Sequence, residues 1–140
     1  MFIIKNNYYL YIENTKSINL DLLKNNKKFT IIYRNNTTKE SYTALNKFRN
    51  KCRIKKFKFY VANNKSLATL CKADGLYISS YNKKIYPKNL KGIIGSAHNF
   101  REIYEKTKQG CKTIVLSRLF KTSYKNKKDY MGVIKFNLMK

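Results

Sequence analysis

The sequence predicts an α/β chain built on a parallel sheet, and three observations carry that prediction. Short runs rich in apolar and aromatic residues recur along its 140 residues. Those runs are apolar at consecutive positions, as strands covered on both faces are, and segments with helical spacing separate most of them. A strand buried on both faces and followed by a helix must return over the sheet in parallel, because the crossover needs a dozen or more residues.

The strand candidates, in order, are YYLYIE (Tyr8 to Glu13), KFTIIYR (Lys28 to Arg34), FKFYVAN (Phe57 to Asn63), GLYIS (Gly75 to Ser79), GIIGSAH (Gly92 to His98) and TIVLSRLF (Thr113 to Phe120). Between the second and third, TTKESYTALNKFRNKC has Tyr42, Leu45 and Phe48 at helical spacing with Cys52 a turn further on, and Thr37 or Thr38 stands as its N-cap. NKSLATLCKAD is the next helix. NFREIYEKTKQG is the third, with Asn99 at its cap, Glu102 three residues later and Gly110 as its stop. The connections after the first and fourth strands are short and weakly helical. Six β-α steps suit part of a closed barrel or an open doubly wound sheet. Neither GxGxxG after the first strand nor GxxxxGK is present, so no nucleotide fingerprint supports the open form. No repeat, low-complexity stretch or Pro-rich linker divides the chain, which reads as one domain over residues 1–140; the single proline, Pro87, lies in the loop after the fourth strand.

A hydrophobic content of 43%, with 12 Tyr and 8 Phe, is enough to bury a core. No apolar run is long enough to span a bilayer, and the start MFIIKNNYYLYIE lacks a long apolar stretch followed by a cleavage site. A cytoplasmic protein with no membrane partner is therefore expected. Cys52, Cys71 and Cys111 are odd in number and scattered, with no CxxC pair and one histidine in the chain, so reduced and mostly buried thiols are expected. The net charge of +24 raises nucleic acid as a partner. That charge comes from 26 Lys and only 5 Arg, beside 17 Asn, whereas base readout and bidentate phosphate grips favour Arg. The lysines are spread along the chain, with brief clusters at KNKK (Lys125 to Lys128) and RNKCRIKK. Weak nonspecific attraction to polyanions is expected, and no specific nucleic-acid partner.

ADGLYIS at Ala73 to Ser79, then IIGSAHNFREIYEKTKQG, then VLSRLFKTSYK and MGVIKFN, resemble in order and spacing the thiamine-phosphate synthase and thiazole tautomerase superfamily. Its pattern there reads GADGVHLGQ, IIGVSTHSLEEA, YIGxGPVFPTPTK and a later LG. The resemblance covers most of the chain from Lys28 onward. It implies a TIM-barrel-like (β/α) fold, apparently truncated after about six strands, since a full barrel has eight and about 250 residues. An incomplete barrel leaves sheet edges exposed, which calls for a partner such as a second copy. The implied function is that of thiamine-phosphate synthase in thiamine biosynthesis, joining a pyrimidine diphosphate to a thiazole phosphate with release of pyrophosphate. The alternatives are a thiazole tautomerase and a non-catalytic remnant that binds phosphorylated ligands.

The resemblance also assigns residues. Arg34 matches the Arg of the family's LRxK, with Asn36 at the Lys position, and Ser96 matches the Ser of GVS with one residue deleted beside it. Thr122 and Lys125 match the Thr and Lys of FPTPTK, whose second Thr is Tyr124 here. Arg34, Asn36, Thr122 and Lys125 would hold substrate phosphate, and Ser96 and His98 would serve catalysis. The metal-binding NDR becomes Ala62, Asn63, Asn64, and the second acidic ligand becomes Asn82. Asn brings a carbonyl oxygen but no charge, so Mg²⁺ binding is expected to be weak or lost. His98 occupies the SxH position that carries the proton-transfer residue in the tautomerase branch, and an imidazole can move a proton without a metal. Asp74 and Gly75 read as structural, with Asp74 bonding nearby amides, and Tyr8, Tyr9, Tyr77 and Tyr81 as core or rim aromatics.

Overall fold

The computed structural model describes residues 7–25, 27–36, 39–87, 90–118, 132 and 138. All six strand candidates form strands: β1 (Tyr8–Ile12), β2 (Phe29–Tyr33), β3 (Lys58–Ala62), β4 (Gly75–Ile78), β5 (Ile93–Ala97) and β6 (Thr113–Leu116). Among the described residues three α-helices follow β2, β3 and β5: α1 (Tyr42–Ile54), α2 (Lys65–Leu70) and α3 (Phe100–Lys108). A single 3-10 turn at Leu20–Leu22 fills the connection after β1, and no helix is described between β4 and β5, as the weak periodicity of those segments predicts. No helix among the described residues is long and apolar enough to cross a membrane.

The chain forms two compact units, Met1–Tyr77 and Ile78–Lys140. In the first, β1 pairs parallel with β2, β2 with β3, and β3 with β4, in registers such as Tyr11 opposite Ile32, Ile32 opposite Tyr60, and Ala62 opposite Tyr77. Ile31, Ile32, Phe59, Val61 and Leu76 are fully buried, which is the signature of strands covered on both faces. One cover is α1, whose Phe48 ring lies 6.0 Å from Phe59, itself 6.3 Å from Tyr33. Leu45 and Cys52 complete the helix stripe at the predicted spacing.

The cap of α1 is Ser41, whose hydroxyl accepts from the Ala44 N–H at 3.2 Å, and not Thr37 or Thr38, which lie outside the described residues. The apolar stripe decides the difference: capping at Ser41 makes Leu45 the first core contact of the second helical turn. Ser41→Ala is expected to cost about 1 kcal/mol, read as a shift of the urea midpoint.

Each helix ends in the same way. After α3, Gly110 takes φ +84° and the Cys111 N–H reaches back to the Lys106 carbonyl, as the sequence predicts. After α1 and α2 the same left-handed position is held by Lys56 (φ +62°) and Lys72 (φ +50°), with Phe57 N–H bonding Cys52 O and Ala73 N–H bonding Ala68 O. In the second unit β5 and β6 pair parallel, Ser96 opposite Val115 and Ala97 opposite Leu116, and α3 packs on β5. Gly95 permits that packing, because a Cβ there would meet Cys111 Sγ at 2.8 Å and the Lys106 stem at 3.0 Å.

Candidate functional site

Arg34 and Asn36 follow the last residue of β2, and Asn63 follows the last residue of β3, so all three stand at the carboxyl end of the first unit's parallel sheet. Side chains alternate along a strand, which sends Tyr33 and Arg34 to opposite faces. Tyr33 faces α1 with Phe48 and Phe59. On the other face the Tyr11 and Tyr77 rings meet edge to face at 5.6 Å, with their hydroxyls 3.5 Å apart. Burial, helped by that contact, holds the Tyr11 phenol well above its usual range, and the nearby Arg34 charge opposes the rise. The Arg34 Nε is buried and has no hydrogen-bond partner among the described residues. A cationic donor in that condition has an unmet hydrogen bond that an anion admitted to that end of the sheet would supply.

Asn36 is on different ground. It lines a pocket of about 560 Å³ on the helix side, with Tyr33, Lys39, Glu40, Tyr42 and Asn64. Glu40 organises that wall, accepting from the Thr15 N–H at 3.0 Å, the Thr15 hydroxyl at 2.7 Å and the Tyr33 hydroxyl at 2.8 Å. Burial by itself raises the Glu40 carboxyl, but these three donors outweigh it and leave the group below its ordinary 4.5. Burial and the bond to Glu40 in turn push the Tyr33 phenol up to about 12. Because the folded value of Glu40 is depressed, its contribution to stability is complete above the ordinary carboxylate value and is lost as pH falls through the folded value. Urea unfolding from about pH 6 to about pH 3 is expected to show a loss that Glu40→Gln lacks.

Asn63 adopts φ +57°, a conformation Asn tolerates, and its N–H donates to the Tyr77 carbonyl at 2.8 Å. In the second unit Asn82 holds its own loop together. Its Oδ1 accepts from the Lys84 N–H at 3.0 Å, its Nδ2 donates to the Tyr86 hydroxyl at 2.9 Å, and its carbonyl accepts from Lys106 Nζ at 2.6 Å. No group of three or more His, Cys, Asp or Glu that could hold a metal ion occurs among the described residues. The thiols of Cys52, Cys71 and Cys111 are free, and burial pushes all three up, Cys52 to about 12, so they stay protonated.

Ser96 is buried on β5, and His98 follows that strand. The Glu102 N–H donates to the Asn99 side chain at 2.9 Å, the N-cap that the sequence predicts, while Glu102 Oε2 accepts at 2.7 Å from the His98 N–H, one residue before the cap. The His98 Nδ1 lies 2.6 Å from Ser117 Oγ, a partner that sequence reasoning missed. Its signal was the parallel register itself: one step beyond Ala97 opposite Leu116 stand His98 and Ser117. Thr122 and Lys125 lie outside the described residues.

The family model described as thiamine monophosphate synthase matches residues 2–140. No curated protein sequence matches the chain. Among solved structures, a thiamine phosphate pyrophosphorylase from Pyrococcus furiosus is similar, with a TM-score of 0.72 at 16% identity, the match covering 96% of this chain and 69% of that one. That likeness shows the fold, a TIM-barrel-like (β/α) arrangement with six strands among the described residues.

Proposed function

We propose, for a chain that belongs to the thiamine monophosphate synthase family, that it binds a pyrimidine diphosphate and a thiazole phosphate and joins them with release of pyrophosphate in the cytoplasm. The observation that supports this most is Arg34, a guanidinium at a strand's carboxyl end whose buried Nε has no partner among the described residues. Phosphate or pyrophosphate would supply the missing acceptor, and departing pyrophosphate needs fixed positive charge more than it needs an acid or a base. Thr122 and Lys125 are proposed to bind phosphate as well, on the family pattern they match, and Asn36 is proposed to do so from the pocket on the helix side.

Mg²⁺ does not fit the donors described for it. Asn63 and Asn82 bring no charge, and both polar atoms of the Asn82 side chain are engaged within its own loop. Neutralisation of the leaving group therefore falls to the cationic side chains. A second reading, proton transfer on a thiazole by His98, is favoured by the ring's fixed position against Ser117.

Calorimetric titration with pyrophosphate tests the first reading. Arg34→Ala is expected to weaken binding by about 1 to 3 kcal/mol, the range for hydrogen bonds to charged groups, whereas the exposed Lys24→Ala changes little. Equal losses at both positions would mean that bulk charge alone attracts the anion. Incubation with both phosphorylated substrates then separates a synthase, which releases thiamine phosphate, from a remnant that binds and does not turn over.

A further inference from the structure

The second unit holds the chain's single histidine in a position that fixes more than its location. The Ser117 N–H donates to the Ala97 carbonyl at 3.2 Å, continuing the β5–β6 ladder past its last paired residues. The His98 backbone is tied in turn to the Glu102 carboxylate at 2.7 Å. Gly95 faces Lys106 and Cys111, so alternation directs Ser96 and His98 to the sheet face away from α3. With both backbones held, Ser117 Oγ and His98 Nδ1 meet at 2.6 Å.

A neutral imidazole carries one N–H, on Nδ1 or on Nε2, and the serine hydroxyl has one proton to donate. Among the described residues Nδ1 is the only side-chain partner of that hydroxyl. If Nδ1 carried the proton it would donate to Oγ, a weaker acceptor than a bare imidazole nitrogen, and the hydroxyl proton of the part-buried Ser117 would turn to solvent. If the hydroxyl donates, Nδ1 accepts and the ring proton resides on Nε2. We infer that Ser117 is a positioning residue that sets neutral His98 as its Nε2–H tautomer, so that the ring meets its ligand as a hydrogen-bond donor. The tautomer follows from this contact and from the imidazole nitrogen's being the stronger acceptor; its use, donation to a phosphate oxygen, rests on the function proposed above.

Because the chain has one histidine, ¹⁵N-histidine labelling of the whole protein reads the tautomer without assignment. At about pH 9, well above the ordinary imidazole value near 6.5, the wild-type spectrum is expected to show Nε2 protonated and Nδ1 bare. The excess should be about tenfold or more, the ratio that about 1.4 kcal/mol maintains. Ser117→Ala should relax the ring to a mixture, and Ser117→Asp, whose carboxylate can only accept, should move the proton to Nδ1. A wild-type ring protonated at Nδ1, or a ring that ignores the Ser117→Asp change, overturns the inference. Inorganic pyrophosphate supplies the second arm: a shift of the Nε2 resonance on addition supports the donor role. Calorimetric binding without that shift overturns the donor role and leaves the phosphate reading standing, whereas failure of pyrophosphate to bind at all sinks the phosphate reading and not the tautomer.

Discussion

Phe59→Ala is expected to destabilise the chain by about 3 to 5 kcal/mol, a large share of the total for a domain of this size. The side chain is fully buried, with Phe48 of α1 on one side and Tyr33 of β2 on another. Truncation therefore opens a void between helix and sheet instead of a dent in the surface. The neighbouring rings are themselves anchored, Tyr33 by its hydroxyl on Glu40 and Phe48 by its helix, so little collapse can fill the space. Urea midpoints for the alanine and leucine variants give the test. Leucine should recover more than half of the loss, and an alanine variant within 1 kcal/mol of wild type by order of magnitude would mean that this layer is not the core.

Asp74→Ala should cost about 3 kcal/mol, at the low end for breaking a buried ion pair, because the Asp74 side chain is 39% exposed and solvent screens part of the attraction. Two bonds are lost together. Oδ2 accepts the Phe59 N–H at 2.8 Å, and Oδ1 lies 3.4 Å from Nη2 of Arg49, which is only 4% exposed. Arg49 Nη1 has no partner among the described residues even in the intact protein, and the Lys72 carbonyl at 3.1 Å would be left as the acceptor for the charge. Combining Asp74→Ala with Arg49→Met removes the stranded charge and keeps the stem that packs. The double variant should be more stable than Asp74→Ala alone; equal stability would show that the lost Phe59 bond, and not the charge, carries the cost.

What the sequence made legible and what it hid follow from the range of the forces involved. Strand positions are written locally, since apolar runs such as TIIY and FYVA have no other way to be buried, and all six were readable. The stop of α3 was readable because Gly110 is the residue type that takes a left-handed turn without cost. The stops at Lys56 and Lys72 were not, because nothing in a lysine announces positive φ. Ser41 was hidden among three hydroxyl residues in TTKES, and the burial of Leu45 chose between them. Arg34, Ser96 and His98 were proposed by resemblance, and the structural Asp74 was read from its turn chemistry, with its carboxylate on a backbone amide as expected. Ser117 and Glu40 were not found, because their roles arise from register and from contacts 19 and 25 residues away in the chain.

Lys106 carries a consequence for reactivity. It has no exposed surface, and its amine rests on the Asn82 carbonyl and, at 2.7 Å, on the Gln109 side chain, with burial lowering its proton affinity. An amine of lowered proton affinity is deprotonated more readily than a free lysine and so reacts more readily, yet this one is shut away from any reagent while α3 stays seated. In a chain whose other lysines are spread through the sequence, an acylating reagent would mark exposed amines first and reach Lys106 only during the intervals when that helix lifts. The delay between the two is a clock, and its rate reads the local opening of the segment that ties Asn82 to His98.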